Sequence, residues 1–151
     1  MISREKNSVG GSDRDTVCRA VVNEAKKNKI EILTSTLSLV EVCKSKDVRS
    51  AMNDEIAAFF ENDYILLMNV DRSVGELARQ MMKEGHTGLK PPDAVHIASA
   101  VLGQVAEMHT FDDKLLKLDN EIVRLDGGKL RICTPDIGES PLPLLSQTKK
   151  K

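Results

Sequence analysis

Lys90-Pro91-Pro92-Asp93-Ala94-Val95-His96-Ile97-Ala98-Ser99-Ala100 places a single carboxylate in the first turn of an otherwise apolar helix. Proline pre-sets the backbone angle for a helix start, and an acid there meets the positive end of the helix dipole. Taken alone, Asp93 reads as a helix-start residue as readily as a ligand. The next segment shifts that reading. Val105 to His109 has the pattern of a short strand and runs into Thr110-Phe111-Asp112-Asp113. Asp112 then lies just past a strand end, where open α/β sheets bind their ligands. Two acids converging on one such edge point to a metal site rather than to two unrelated caps.

Upstream, Asp71 to Glu84 has helical spacing, with Val74, Leu77, Ala78, Met81 and Met82 on the inward face. Tyr64 to Met68 is a continuous apolar run of the buried parallel-strand type. Asn53 to Glu61 reads as a helix carrying Ile56, Ala57, Phe59 and Phe60. Glu31-Ile32-Leu33 is a short strand, and the hydroxyls of Thr34-Ser35-Thr36 suit N-caps for a helix from Leu37 to Lys44. A first helix begins at Ser12, with Val17, Ala20, Val21 and Ala25 on one face, and ends in Lys26 to Lys29. Downstream, Lys114 to Leu118 forms a short turn with Asp113 as its expected N-cap, and Leu130 to Cys133 a final strand. Strands alternating with helices specify an α/β fold with a mainly parallel sheet. The chain divides into a flexible leader (1–11), one domain (12–135) and a polar, disordered tail (136–151).

The 151 residues, 40% hydrophobic and 30% charged, suit one soluble domain with a real core. No apolar run approaches the roughly 20 residues that span a bilayer, and the N-terminus lacks the apolar core of a signal peptide, so no membrane role and a cytoplasmic location are expected. Net charge is −1 and aromatic content 3%. There is thus no global basic field, and few rings to stack on unpaired bases. Any affinity for nucleic acid must come from a local patch, for which Lys44, Lys46, Arg49, Arg72 and Lys90 are the candidates. Cys18, Cys43 and Cys133 have no metal-binding spacing and sit in apolar contexts, which reads as buried reduced thiols rather than zinc ligands.

Glu41 joins the acidic constellation. Leu37, Leu39, Val40 and Val42 surround it, so it is either an acid held in an apolar stretch for a purpose or part of a polar stripe partnered by Lys44. Glu41, Asp93 and Asp112 each follow a different strand or open the helix beside it. Carboxylates gathered in that way repel unless a cation sits between them. With oxygen ligands alone that cation is hard, Mg²⁺ or Mn²⁺ rather than Zn²⁺. Such an ion activates water for attack on a phosphodiester. Thr110 is placed to hold a bound water or a phosphate oxygen. His96, one turn from Asp93, reads as a packing or supporting residue, and His86 and His109 as loop and strand-edge residues without partners.

Ser35-Thr36-Leu37-Ser38-Leu39-Val40-Glu41, Pro92-Asp93-Ala94-Val95-His96-Ile97-Ala98 and Thr110-Phe111-Asp112, in that order and spacing, resemble the PIN-domain family, the fold of many VapC-type toxin ribonucleases. The resemblance runs from about Ser12 to Pro135. It implies a three-layer α/β/α domain around a mainly parallel sheet and a Mg²⁺- or Mn²⁺-dependent endoribonuclease. Glu41, Asp93 and Asp112 would be its metal ligands, with Thr110 in catalytic support. It also implies RNA as substrate, a small antitoxin as partner, and a homodimer.

One departure stands out. Family members open with a central strand ending in an aspartate, and Met1-Ile2-Ser3-Arg4-Glu5-Lys6 is no such strand; Asp13 and Asp15 fall at a helix start. The first strand is therefore expected to be absent, which leaves open edges that invite pairing with another chain. The alternative function is a catalytically impaired PIN-like module that binds RNA or a partner protein. A nucleotide-binding α/β domain is disfavoured, since Gly10-Gly11 and Gly127-Gly128 lack the strand–loop–helix setting of a phosphate loop.

Overall fold

Ile32–Ser35 (β1) and Ile65–Met68 (β2) pair in parallel, Ile32 opposite Ile65 through Ser35 opposite Met68. Glu107–His109 (β3) and Arg131–Cys133 (β4) form a second parallel ladder, His109 opposite Cys133. The computed structural model describes residues 2–50 and 55–136, with the backbone alone for residues 2–13 and 47. Among the described residues these two ladders are separate two-stranded sheets. That corrects the expectation of one central sheet: all four strands are three or four residues long, and none of them pairs across from one ladder to the other. The parallel α/β character stands.

The chain falls into two units, one of residues 1–30 with 134–151 and one of residues 31–133. In the first, a single helix runs over Ile2–Lys26 (α1). It takes in residues 2–11 of the expected leader, which contain no proline to stop a helix that is already propagating. Val17, Ala20, Val21 and Ala25 are its less exposed side, as the spacing indicated. No described helix is long and apolar enough to cross a membrane. Asn53 and Asp54 of the expected fourth-helix start, and residues 137–151 of the expected tail, lie outside the described residues.

In the second unit, β1 leads into Leu37–Glu41 (α2), a single 3₁₀ turn over Val42–Lys44, and Lys46–Ser50 (α3). Glu55–Phe60 (α4) precedes β2, and Arg72–Glu84 (α5) and Pro91–Leu102 (α6) follow it. Asp71 caps α5 by accepting from the Val74 amide at 3.0 Å, and Gly85 ends it at φ 76°, a left-handed conformation that glycine adopts without strain. Pro91 opens α6 as the first helical residue, and its alanine-rich sequence lets a neighbouring helix approach closely. Val74, Ala78 and Met81 of α5 pack with Ala94, Ile97, Ala98 and Val101 of α6, and the cluster continues into Leu115, Leu130 and Ile132.

Two readings of burial change. Leu66 in β2 is 47% exposed, so the apolar run is not buried along its whole length, although Met68, on the same face, packs against the core. Met82 is also exposed, at the margin of the α5 stripe. Where α6 ends, Gly103 has an ordinary φ of −77°, but a Cβ there would lie 2.3 Å from Leu33 Cδ1 and 3.0 Å from the Ser99 carbonyl. Gly103 is thus a spacing residue between α6 and β1. Gly103→Ala is expected to cost about 1–3 kcal/mol, read as a lower urea midpoint with an unchanged slope.

Candidate active site

The turn after β1 brings polar groups to the first half of α6. Ser35, the last residue of β1, is 1% exposed, and its hydroxyl must find a partner. His96 supplies it: Nδ1 lies 3.2 Å from Ser35 Oγ, and Nε2 on the other side of the ring lies 2.5 Å from Glu41 Oε2. With a neutral ring, Nε2–H donates to Glu41 and Nδ1 accepts the Ser35 hydroxyl proton. Lys44 Nζ approaches the other Glu41 oxygen at 3.8 Å. Two of the quoted sequence segments, distant in the chain, are thereby joined by side chains.

Thr34 and Thr36 tie down the same turn. The hydroxyls of Thr34 and Ser38 are 2.6 Å apart, and Thr36 Oγ1 accepts from the Val70 amide at 3.2 Å. Thr36 therefore makes no side-chain cap on α2, contrary to the expected N-cap role. Its backbone is already helical there, φ −60° and ψ −18°, so the hydroxyl reaches across to the loop after β2 instead.

Asp93 stands at the third position of α6, one turn before His96, so the two side chains lie on one helix face. Its Oδ2 accepts from the Lys90 amide at 3.4 Å, the helix-start role. Asp112 follows β3 and caps Asp113–Leu116 (α7), accepting from the Lys114 amide at 2.8 Å. The cap is thus Asp112, not Asp113; Asp113 is already inside the helix. Thr110 Oγ1 accepts from the Asp112 amide at 3.1 Å, and the Thr110 amide extends the β3–β4 ladder through the Cys133 carbonyl at 3.0 Å.

A hard divalent ion is matched by these donors in kind, all carboxylate oxygens. They are not gathered as one set, for among the described residues the oxygens of Glu41, Asp93 and Asp112 do not all lie within 4.8 Å of one another. Glu41 is tied to His96 across the turn, and Asp93 stands one turn before His96 along α6. Of the candidate cations, Lys44 is engaged by Glu41, and Arg72 pairs with Glu76 at 2.7 Å.

Several residues differ from the sequence expectation. His86 and His109 each have a partner, Glu84 at 3.2 Å and Glu107 at 2.7 Å. Cys18 and Cys43 are free but exposed rather than buried, and Cys133 is half-buried. Burial first, and then the adjacent Glu107 carboxylate, push the Cys133 thiol above its ordinary pKa. Neither the Ser35–His96–Glu41 chain nor the surroundings of Cys133 follow from spacing alone, since each joins segments far apart in sequence.

The domain is of the α/β class with parallel strands, and its polar groups collect where strands give way to helices. Residues 9–121 match the family model of the PIN domain, and the chain belongs to the PIN-domain family. That is a nuclease-type fold; its members are generally nucleases and typically use divalent metals. Neither the curated proteins nor the solved structures gave a match to this chain.

The Ser35–His96–Glu41 chain permits a separate test. His96→Ala strands a buried hydroxyl, and it is expected to cost about 1–3 kcal/mol. Adding Ser35→Ala removes the stranded group. The double variant should therefore be more stable than the sum of the single losses implies, measured by urea unfolding. Strict additivity would assign no energy to the contact.

Proposed function

We propose that this protein is a metal-dependent endoribonuclease of the VapC-toxin type, with Glu41 and Asp93 as metal ligands and Asp112 and Thr110 completing the site from the end of β3. The observation that carries the reading is the His96 bridge, which joins the Glu41 turn to the helix bearing Asp93. Mg²⁺ or Mn²⁺ bound there would supply an activated water and neutralise charge on a phosphodiester. The chain's own residues do the positioning. His96 fixes one Glu41 oxygen, Ser35 fixes the ring, and Lys44 offers a cation beside the site. Lys46, Arg49 and Lys90 are exposed and extend that positive rim for an RNA backbone. Leu39 and Val40 of α2, 39% and 69% exposed beside Glu41, are where an antitoxin or a second copy of the chain would cover the site.

A second reading is a PIN-like module that binds RNA or a partner without cutting. It is supported by Asp112, whose Oδ1 is committed to the cap of α7. Incubation of the purified chain with mixed RNA, with Mn²⁺ and with EDTA, separates the two. Cleavage that needs Mn²⁺ supports the nuclease; retention of RNA without cleavage, insensitive to EDTA, supports the binding module.

A further inference from the structure

The two-residue period of a strand puts Glu107 and His109 on one face of β3, and the ladder register sets Cys133 of β4 directly opposite His109. The intervening residues, Met108 and Ile132, pack into the core on the other side. The pleat therefore collects a carboxylate, an imidazole and a thiol on the side away from that core. One donor atom from each of Glu107, His109 and Cys133 lies within 4.8 Å of the others, the one such trio among the described residues. His109 Nε2 is 2.7 Å from Glu107 Oε1, and the Cys133 sulfur lies within 4.8 Å of a donor atom of each. Arg131 Nη1 holds the second Glu107 oxygen at 3.4 Å, which orients the carboxylate.

We propose that Glu107, His109 and Cys133 form a binding site for a borderline-soft divalent ion, Zn²⁺ by the chemistry of its donors, separate from the carboxylates of the nuclease site. Sulfur, nitrogen and oxygen donors together select Zn²⁺ or Co²⁺ over Mg²⁺. Tetrahedral coordination sets such donors about 3.3–3.8 Å apart, so His109 and Glu107 open by about half an ångström to admit the ion. On binding, the Cys133 thiol gives its proton to solvent, and its thiolate, the neutral imidazole and the carboxylate become the ligands. A fourth position stays open to water. The ion would tie β3 to β4 one residue before Thr110, adding a bond between strands that share few backbone hydrogen bonds.

The test uses the full chain with Cys18→Ser and Cys43→Ser, so that Cys133 is the sole thiol, and Co²⁺ as the probe. The expected result is a thiolate-to-cobalt charge-transfer band in the near ultraviolet that Zn²⁺ abolishes and excess Mg²⁺ leaves unchanged. His109→Gln and Glu107→Gln, at exposed strand positions that keep the fold, are expected to weaken binding at least about tenfold. Cys133→Ser is expected to remove the band. Absence of the band in the parent chain would overturn the proposal. So would a band of unchanged affinity in His109→Gln and Glu107→Gln. No arm depends on RNA cleavage, so failure here and failure of the nuclease reading are told apart.

Discussion

Asp93→Asn and Glu41→Gln are each expected to lower Mn²⁺-dependent RNA cleavage by about a hundredfold or more while leaving far-ultraviolet circular dichroism unchanged. The size follows from the role. Even groups that only orient a metal ligand change affinity or activity by about 10–100-fold, and a ligand itself contributes more. Neither substitution changes side-chain volume appreciably. Asn at position 93 still accepts the Lys90 amide, so α6 keeps its start. Gln at position 41 still accepts from His96. What each loses is the negative charge that a cation needs. A variant as active as the parent would take that residue out of the mechanism, and cleavage persisting in EDTA would take the metal out.

Ile97→Ala should be the most damaging single truncation in the second unit, at about 2–5 kcal/mol. Ile97 has no exposed surface and sits in the middle of α6 among Val74, Ala78 and Ile132, so removing its branched side chain leaves a cavity that rigid neighbours cannot close. Domains of this size are stable by about 5–15 kcal/mol, so the loss is a large share of the total. Urea unfolding of the parent and the variant at one temperature measures it. A loss below about 1 kcal/mol would show that the site relaxes around the smaller residue.

What could be read in advance was local. Pro91 and Asp93 mark the start of α6, and the α5 stripe of Val74, Ala78 and Met81 follows from 3.6-residue spacing. The three segments quoted for the PIN-domain family need only order and spacing, and the family match covers them. What was hidden was pairing at a distance. Nothing near His96 in the chain says that Ser35 and Glu41 will take its two ring nitrogens. The choice between Asp112 and Asp113 as cap turns on one residue of backbone conformation. The exposure of Leu66 is not legible either, because an apolar run shows which residues could be buried, not which are covered. Glu107 and Cys133 became neighbours through the β3–β4 register, which no local pattern encodes.

α6 packs against both β1 and β3, one strand of each ladder. A two-stranded ladder on its own is marginal in water, so neither sheet can outlast the helix that backs it. In amide exchange the protected groups of β1 and of β3 should then share one opening free energy with the centre of α6, although among the described residues the two ladders are separate sheets. The helix that carries Asp93 and His96 is in that sense the clock of the domain: its opening sets how long Glu41 and Asp112 remain parts of the same object.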